Sequence, residues 1–180
     1  MKKVLYILGE LSDLDVNWMT SNGRKEHIPA DGVIIHEGKP TNALYIVLDG
    51  SFRVSLVARG DQELSRLGVG EIVGEVSFVD ARPPVATVTA LEPAVVLSVP
   101  SDALRTKLQE DVGFAARFYR AVAMFLSDRL RSMAPRIGAG PGSPTTEEID
   151  AADELDMNVL DTVHMAGARF DRMLKRLMGS

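Results

Sequence analysis

The sequence contains no cysteine, which excludes disulfides, thiolate metal sites and cysteine nucleophiles. It has 3 histidines, His27, His36 and His164, too few and too scattered to build a histidine metal centre. No apolar run approaches the roughly 18 residues that a membrane-spanning helix requires. An excess of positive charge is also missing: the formal net charge of −5 argues against a general nucleic-acid binder, which needs a basic face. Glycine (15) and proline (9) are too few for a collagenous or wholly disordered chain. At the start, Met1-Lys2-Lys3 followed by Val4 to Leu8 has the look of a signal peptide. Gly9 and Glu10 stop that run early, and no small-residue cleavage site follows. The expectation is a soluble, cytoplasmic protein.

What is present fits a globular protein. An apolar fraction of 46% and a charged fraction of 25% over 180 residues provide a real core, with room for one domain and an appendage. Ser12 to Met19 reads as a short helix, with Ser12 as N-cap, Asp15 three residues on, and Gly23 as the stop. From Ile28 to Pro100 the chain breaks into short segments. Val33–Ile35, Leu44–Leu48, Phe52–Val57, Glu63–Leu67, Ala86–Ala90 and Val95–Val99 are predicted strands. Phe52, Val54 and Leu56 alternate with Ser51, Arg53 and Ser55, and glycines punctuate the run from Gly32 to Gly74. This pattern predicts an all-β sandwich or barrel, and the absence of helix-length segments between strands excludes a parallel βαβ sheet.

After Pro100 the apolar period becomes helical. Ser101 can cap a short helix from Asp102 to Leu108. From Asp111 a longer one carries Phe114, Phe118, Val122, Phe125 and Leu126 on one stripe, ending near Met133. Positions 134–144, rich in Gly and Pro, read as a flexible linker. Thr145 to Glu148 has a capping-box pattern opening a final amphipathic helix with Leu155, Val159, Val163, Ala166, Phe170, Met173 or Leu174, and Leu177 on one face. The predicted divisions are therefore 1–133, a linker over 134–144, and a helix over 145–180. That last stripe has no domain of its own and must be covered by the β-roll, a second copy or a partner protein.

The segment Gly70 to Thr89 joins two strands through a glycine turn, a possible single helical turn at Glu75 to Val79, and the return Ala81-Arg82-Pro83-Pro84-Val85. Amides at a helix start favour an anion, and Gly74 allows close backbone approach. On these residues alone, a plain strand connection stiffened by Pro83 and Pro84 accounts for the segment.

Three spaced motifs in order change that reading. They are Pro29-Ala30-Asp31-Gly32-Val33-Ile34-Ile35-His36-Glu37-Gly38, then Leu44-Tyr45-Ile46-Val47-Leu48-Asp49-Gly50, then Val73-Gly74-Glu75-Val76-Ser77-Phe78 through Ala86-Thr87-Val88. Over about residues 8 to 133 the chain resembles the cyclic nucleotide-binding domain of the catabolite activator, protein kinase A regulatory subunits and cyclic-nucleotide-gated channels. The resemblance implies a mainly β fold, a β-roll or jelly roll (double-stranded β-helix) followed by α-helices. It implies that the insert is a phosphate-binding cassette in which Gly74 and Glu75 line a pocket, Glu75 accepting from a ribose 2′-hydroxyl. Amides near Ser77 and the groups at Ala86 and Thr87 would face a cyclic phosphate, with Val76, Arg82 and Val85 completing the site. The family's phosphate-pairing arginine stands nine residues after the glutamate, which is Pro84 here. Arg82, at the tip of the insert, is the only cation in it.

The expectation is a non-catalytic sensor or regulatory domain that binds cyclic AMP or cyclic GMP weakly, or no cofactor at all, and signals to a partner through its C-terminal helices. The alternative is a ligand-free adaptor whose 145–180 helix docks on a partner or forms a homodimer. A cupin-type metal enzyme would share the β-roll but lacks its histidines. A DNA-binding domain of three helices has no room after the linker, so no DNA contact is expected. A membrane-surface helix, suggested by Arg169, Arg172, Lys175 and Arg176 beside Phe170, Leu174 and Leu177, is opposed by the acidic first half of that segment.

Overall fold

The computed structural model describes residues 8–137 and 157–179. The expected capping box at Thr145, the glycine-rich positions 138–144 and the acidic run Asp150 to Asp156 lie outside them. A first helix, α1 (Asp13–Asn22), leads into eight strands: β1 (Arg24–Ile28), β2 (Val33–Ile35), β3 (Ala43–Asp49), β4 (Phe52–Leu56), β5 (Gln62–Leu67), β6 (Ile72–Val73), β7 (Thr87–Ala90) and β8 (Ala94–Pro100). A short helix, α2 (Glu75–Asp80), interrupts them between β6 and β7. Three more follow: α3 (Ser101–Glu110), α4 (Val112–Ile137) and α5 (Met157–Met178).

The strands form two antiparallel four-stranded sheets, ordered β1-β8-β3-β6 and β2-β7-β4-β5. This is the expected jelly roll followed by helices. Strand alternation explains its three layers. On β3 and β8, Leu44, Ile46, Leu48, Val95, Leu97 and Val99 join the core beneath the helices. Their neighbours Val47, Ala94 and Val96 join a second core against Ile35, Phe52, Val54 and Val88 of the other sheet. The first sheet is thus the middle layer, buried on both faces, which is why Val95 to Val99 reads as a continuous apolar run.

Two strands escaped the sequence pattern. β1 (Arg-Lys-Glu-His-Ile) is a polar edge strand paired with β8 alone, so it carries no alternation to detect. β6 has only two residues, anchored by Tyr45↔Val73 and Ile46↔Ile72. Two helix boundaries also move. Ser101 lies inside α3, buried, and Pro100 takes the N-cap position. α4 continues through Pro135 to Ile137, beyond the expected end at Met133.

The helices are pinned by a few charged contacts. Ser12 and Asp15 form the reciprocal capping box of α1, with Ser12 N–H donating to Asp15 Oδ2 at 2.7 Å and Asp15 N–H to Ser12 Oγ at 3.2 Å. Arg117 of α4 then grips the same carboxylate with Nε at 2.6 Å and Nη2 at 2.9 Å. Burial pushes the Asp15 carboxyl up, but these donors outweigh it and hold its pKa below the ordinary value.

α5 packs onto this frame. Ala166, Phe170 and Met173 are buried in the core shared with Leu8, Leu11, Met19 and Phe114. Arg169 donates through Nε to Asp13 Oδ1 at 2.6 Å and through Nη1 to the Leu8 carbonyl at 2.9 Å. Lys25 donates to the Leu177 carbonyl at 2.9 Å, and Arg176 to the Ser21 hydroxyl at 3.0 Å. At Ala166, Phe170 and Met173 the described part of the tail's apolar stripe is therefore covered by this chain's own α1 and core. Phe170 and Met173 are not available to a lipid surface.

Emptying a buried aromatic site costs about 3–5 kcal/mol. At about 2–4 °C per kcal/mol for a chain of this size, Phe170→Ala is expected to lower the melting temperature by roughly 10 °C in a calorimetric scan. An unchanged value would show that α5 does not cover the core in solution.

Candidate functional site: the pocket under the β6–β7 insert

The insert begins with a backbone turn that only glycine accommodates well. Gly74 has φ +93°, and a Cβ there would lie 2.9 Å from the Ala43 carbonyl oxygen. From this turn α2 starts with no side-chain cap. It ends at Ala81, also left-handed with φ 56°, where Arg82 N–H donates to Asp80 Oδ1 at 3.0 Å. Pro83 and Pro84 then carry the chain back, and the Pro84 carbonyl accepts from Gly38 N–H at 2.8 Å. One residue earlier on that neighbouring turn, Glu37 N–H donates to Thr87 Oγ1 at 3.0 Å. The return limb of the insert is thus fastened to the β2–β3 connection at two points.

Between the insert and the second sheet lies a cavity of about 560 Å³. Gly74, Glu75, Val76, Ser77, Arg82, Val85 and Ala86, all expected from sequence, line it. Thr87 does not: it is buried, and its hydroxyl is taken up by Glu37 on the other side of the strand. Strand alternation is the reason, since Ala86 and Val88 face the cavity and the residue between them must face away.

Sequence reasoning missed most of the walls. Ile35, Val54, Leu64, Val73 and Val88 make an apolar floor from β2, β4, β5, β6 and β7, and Ser65 adds a hydroxyl. The period-2 pattern of Phe52 to Leu56 could have flagged Val54, but only the topology shows that these five strands converge beneath the insert. Asp80 and both prolines also line the cavity. Glu75 is 2% exposed, as a pocket-lining acid should be, whereas Arg82 is exposed at the rim.

The opposite side of α2 faces the helices. Phe78 is buried and meets Phe118 of α4 edge-on, with ring centroids 5.8 Å apart. The Arg105 guanidinium of α3 sits 4.8 Å above the Phe78 ring and donates to its carbonyl at 3.4 Å. Phe118 stacks on Phe114 at 5.9 Å, and Phe114 meets Trp18 of α1 at 5.7 Å. One face of a six-residue helix therefore borders the cavity, and the other is part of the helical core.

A smaller cavity of about 250 Å³ lies in the α1–α5 seam, lined by Asp13, Arg169, Arg172 and Arg176 among others. Its arginines already hold Asp13 and Ser21, which marks it as a structural seam. The Arg169 side chain, as the chief hydrogen-bond donor, keeps the Asp13 carboxyl below its usual pKa. His27 and His36 are exposed, and among the described residues no group of acids or histidines is arranged to hold a metal. Burial raises the Tyr45 pKa, assisted by Glu26 and opposed by Ser98, consistent with a half-buried packing residue.

The family model of the cyclic nucleotide-binding domain matches residues 25–111, a span that runs from β1 through α3 and includes the insert and its pocket. Residues 25–111 belong to the cyclic nucleotide-binding domain family. A crystal structure of a cyclic nucleotide-binding domain from Methylobacillus flagellatus superposes with a TM-score of 0.67 at 24% identity, covering 78% of this chain and 85% of that one. The regulatory domain of Toxoplasma gondii PKA, crystallised with cAMP, gives a TM-score of 0.53 at 24% identity over 58% of this chain and 42% of that one. Among curated sequences, an uncharacterised NTE family protein of Mycobacterium tuberculosis is 24% identical over 120 residues, 67% of this chain. This chain spans 20% of that relative's length.

The entrance to the domain's insert can be tested directly. Holding a Cβ in the left-handed region costs about 1–3 kcal/mol, and the Ala43 carbonyl adds a clash, so Gly74→Ala should lower the urea midpoint clearly. Gly68→Ala, where a Cβ meets nothing within 4 Å, is the control and should leave the midpoint in place. Equal midpoints for the two variants would contradict the geometry of the turn.

Proposed function

We propose that this protein is a non-catalytic sensor: a small molecule enters the pocket under the β6–β7 insert, shifts α2, and the helices after β8 carry the change to a partner protein or a second copy. The observation that carries this reading is the double placement of α2. Gly74, Glu75, Val76 and Ser77 border the cavity, while Phe78 is locked into the core against Phe118 and Arg105. A ligand that repositions the first turn must move Phe78 or strain its contacts, and close-packed cores respond to such shifts in discrete steps. The regulatory-domain relative crystallised with cAMP supports the sensor role.

The burial of Ala166, Phe170 and Met173 within the chain favours the sensor over the adaptor alternative, which needs those residues free for a partner. Output through α4 and α5 remains open to either kind of partner.

Cyclic nucleotides are expected to bind in the micromolar range or weaker. The position matching the family's phosphate-pairing arginine is Pro84, which has neither a charge nor an N–H to offer. A charge-assisted hydrogen bond contributes about 1.5–3 kcal/mol, and about 1.4 kcal/mol is tenfold in affinity. Calorimetric titration with cyclic AMP and cyclic GMP checks this, and Pro84→Arg should tighten binding at least tenfold. A nanomolar constant for the unaltered chain would overturn the weak-binding expectation.

A further inference from the structure

We infer that the pocket is built for an uncharged, largely apolar small molecule and selects against phosphate esters. This rests on the sensor reading above and names the class of ligand sensed. Three features lead there. The first is the wall: Ile35, Val54, Leu64, Val73, Ala86 and Val88 present hydrocarbon from five strands and the insert, around a space of about 560 Å³. That volume lies within the range that encloses a drug-sized molecule.

The second is the charge at the mouth. The lining residues include two acids, Glu75 and Asp80, against one base, Arg82. Arg82 is exposed at the rim, where water screens it, and its own backbone N–H is held by Asp80. An anion entering here finds no buried cation among the lining residues, whereas a neutral molecule needs none.

The third is the rim itself. Val85 is 76% exposed and Val76 45% exposed, yet both line the cavity. Large apolar side chains left in water beside an apolar cleft gain from being covered by a hydrophobic occupant. Pro84, between Val85 and Pro83, extends the same surface, and its carbonyl is fixed by Gly38 N–H. The Ser65 and Ser77 hydroxyls supply the few polar contacts that orient a neutral ligand.

A matched pair of fluorescent probes separates apolar attraction from charge: N-phenyl-1-naphthylamine is neutral, and 8-anilinonaphthalene-1-sulfonate is the corresponding skeleton with an anionic group. Titrated into the full chain, the neutral probe is expected to bind at least tenfold tighter than the sulfonate. Val85→Asp, at an exposed position that leaves the fold alone, should weaken the neutral probe at least fivefold and so place it in this pocket. Asp80→Lys, also exposed, should raise sulfonate affinity relative to the neutral probe at least fivefold. Tighter binding of the sulfonate or of cyclic AMP than of the neutral probe would overturn the ligand class and leave the sensor reading standing. Absence of any Val85-sensitive binding would overturn both.

Discussion

The edge contact between Phe78 and Phe118 is the junction on which this architecture depends. Without it, α2 would lose its ring contact with α4, and the insert would reach the helices only through Arg105 of α3. With it, α2 has one side in the pocket and one in the largest core of the molecule. Arg105 lies over the ring and donates to the carbonyl of the same residue, so side chain and backbone of Phe78 both meet α3. The aromatic series continues through Phe114 to Trp18, and α5 closes the same core with Phe170 and Met173. Pocket, α4, α1 and tail are thereby parts of one packed unit.

The middle sheet makes this possible. Because β3 and β8 are apolar on both faces, the sheet that supports the helical core also backs the jelly-roll interior, and β6 leads directly from it into Gly74. The pocket's walls come from short strands whose individual side chains look like ordinary core. Their convergence beneath an opening bordered by Val76 and Val85 forms the cavity.

Much of this was legible in the sequence. Glycine spacing and strand alternation gave the β-sandwich class, and the Ser12 and Asp15 pair gave the start of α1, because both signals are local. The three ordered motifs gave the family and most of the insert-side lining. Three things were not legible, each for a physical reason. β1 is a polar edge strand stabilised by β8 rather than by its own pattern. Thr87 was placed in the pocket by resemblance, whereas the strand's alternation turns it toward Glu37. The tail helix showed an apolar stripe but no address for it. Only the fold brings Arg169 to Asp13 and Phe170 to the α1 core, across more than 150 positions.

The most direct test of this coupling is amide hydrogen exchange on the full chain, with and without saturating N-phenyl-1-naphthylamine. If the junction at Phe78 transmits occupancy, slowed exchange appears in residues 75–80 and also along 112–125 of α4, and Phe78→Ala confines it to the insert. Protection restricted to residues 72–90 in the unaltered protein would mean that the pocket and the helices are packed together without being coupled, contradicting the account.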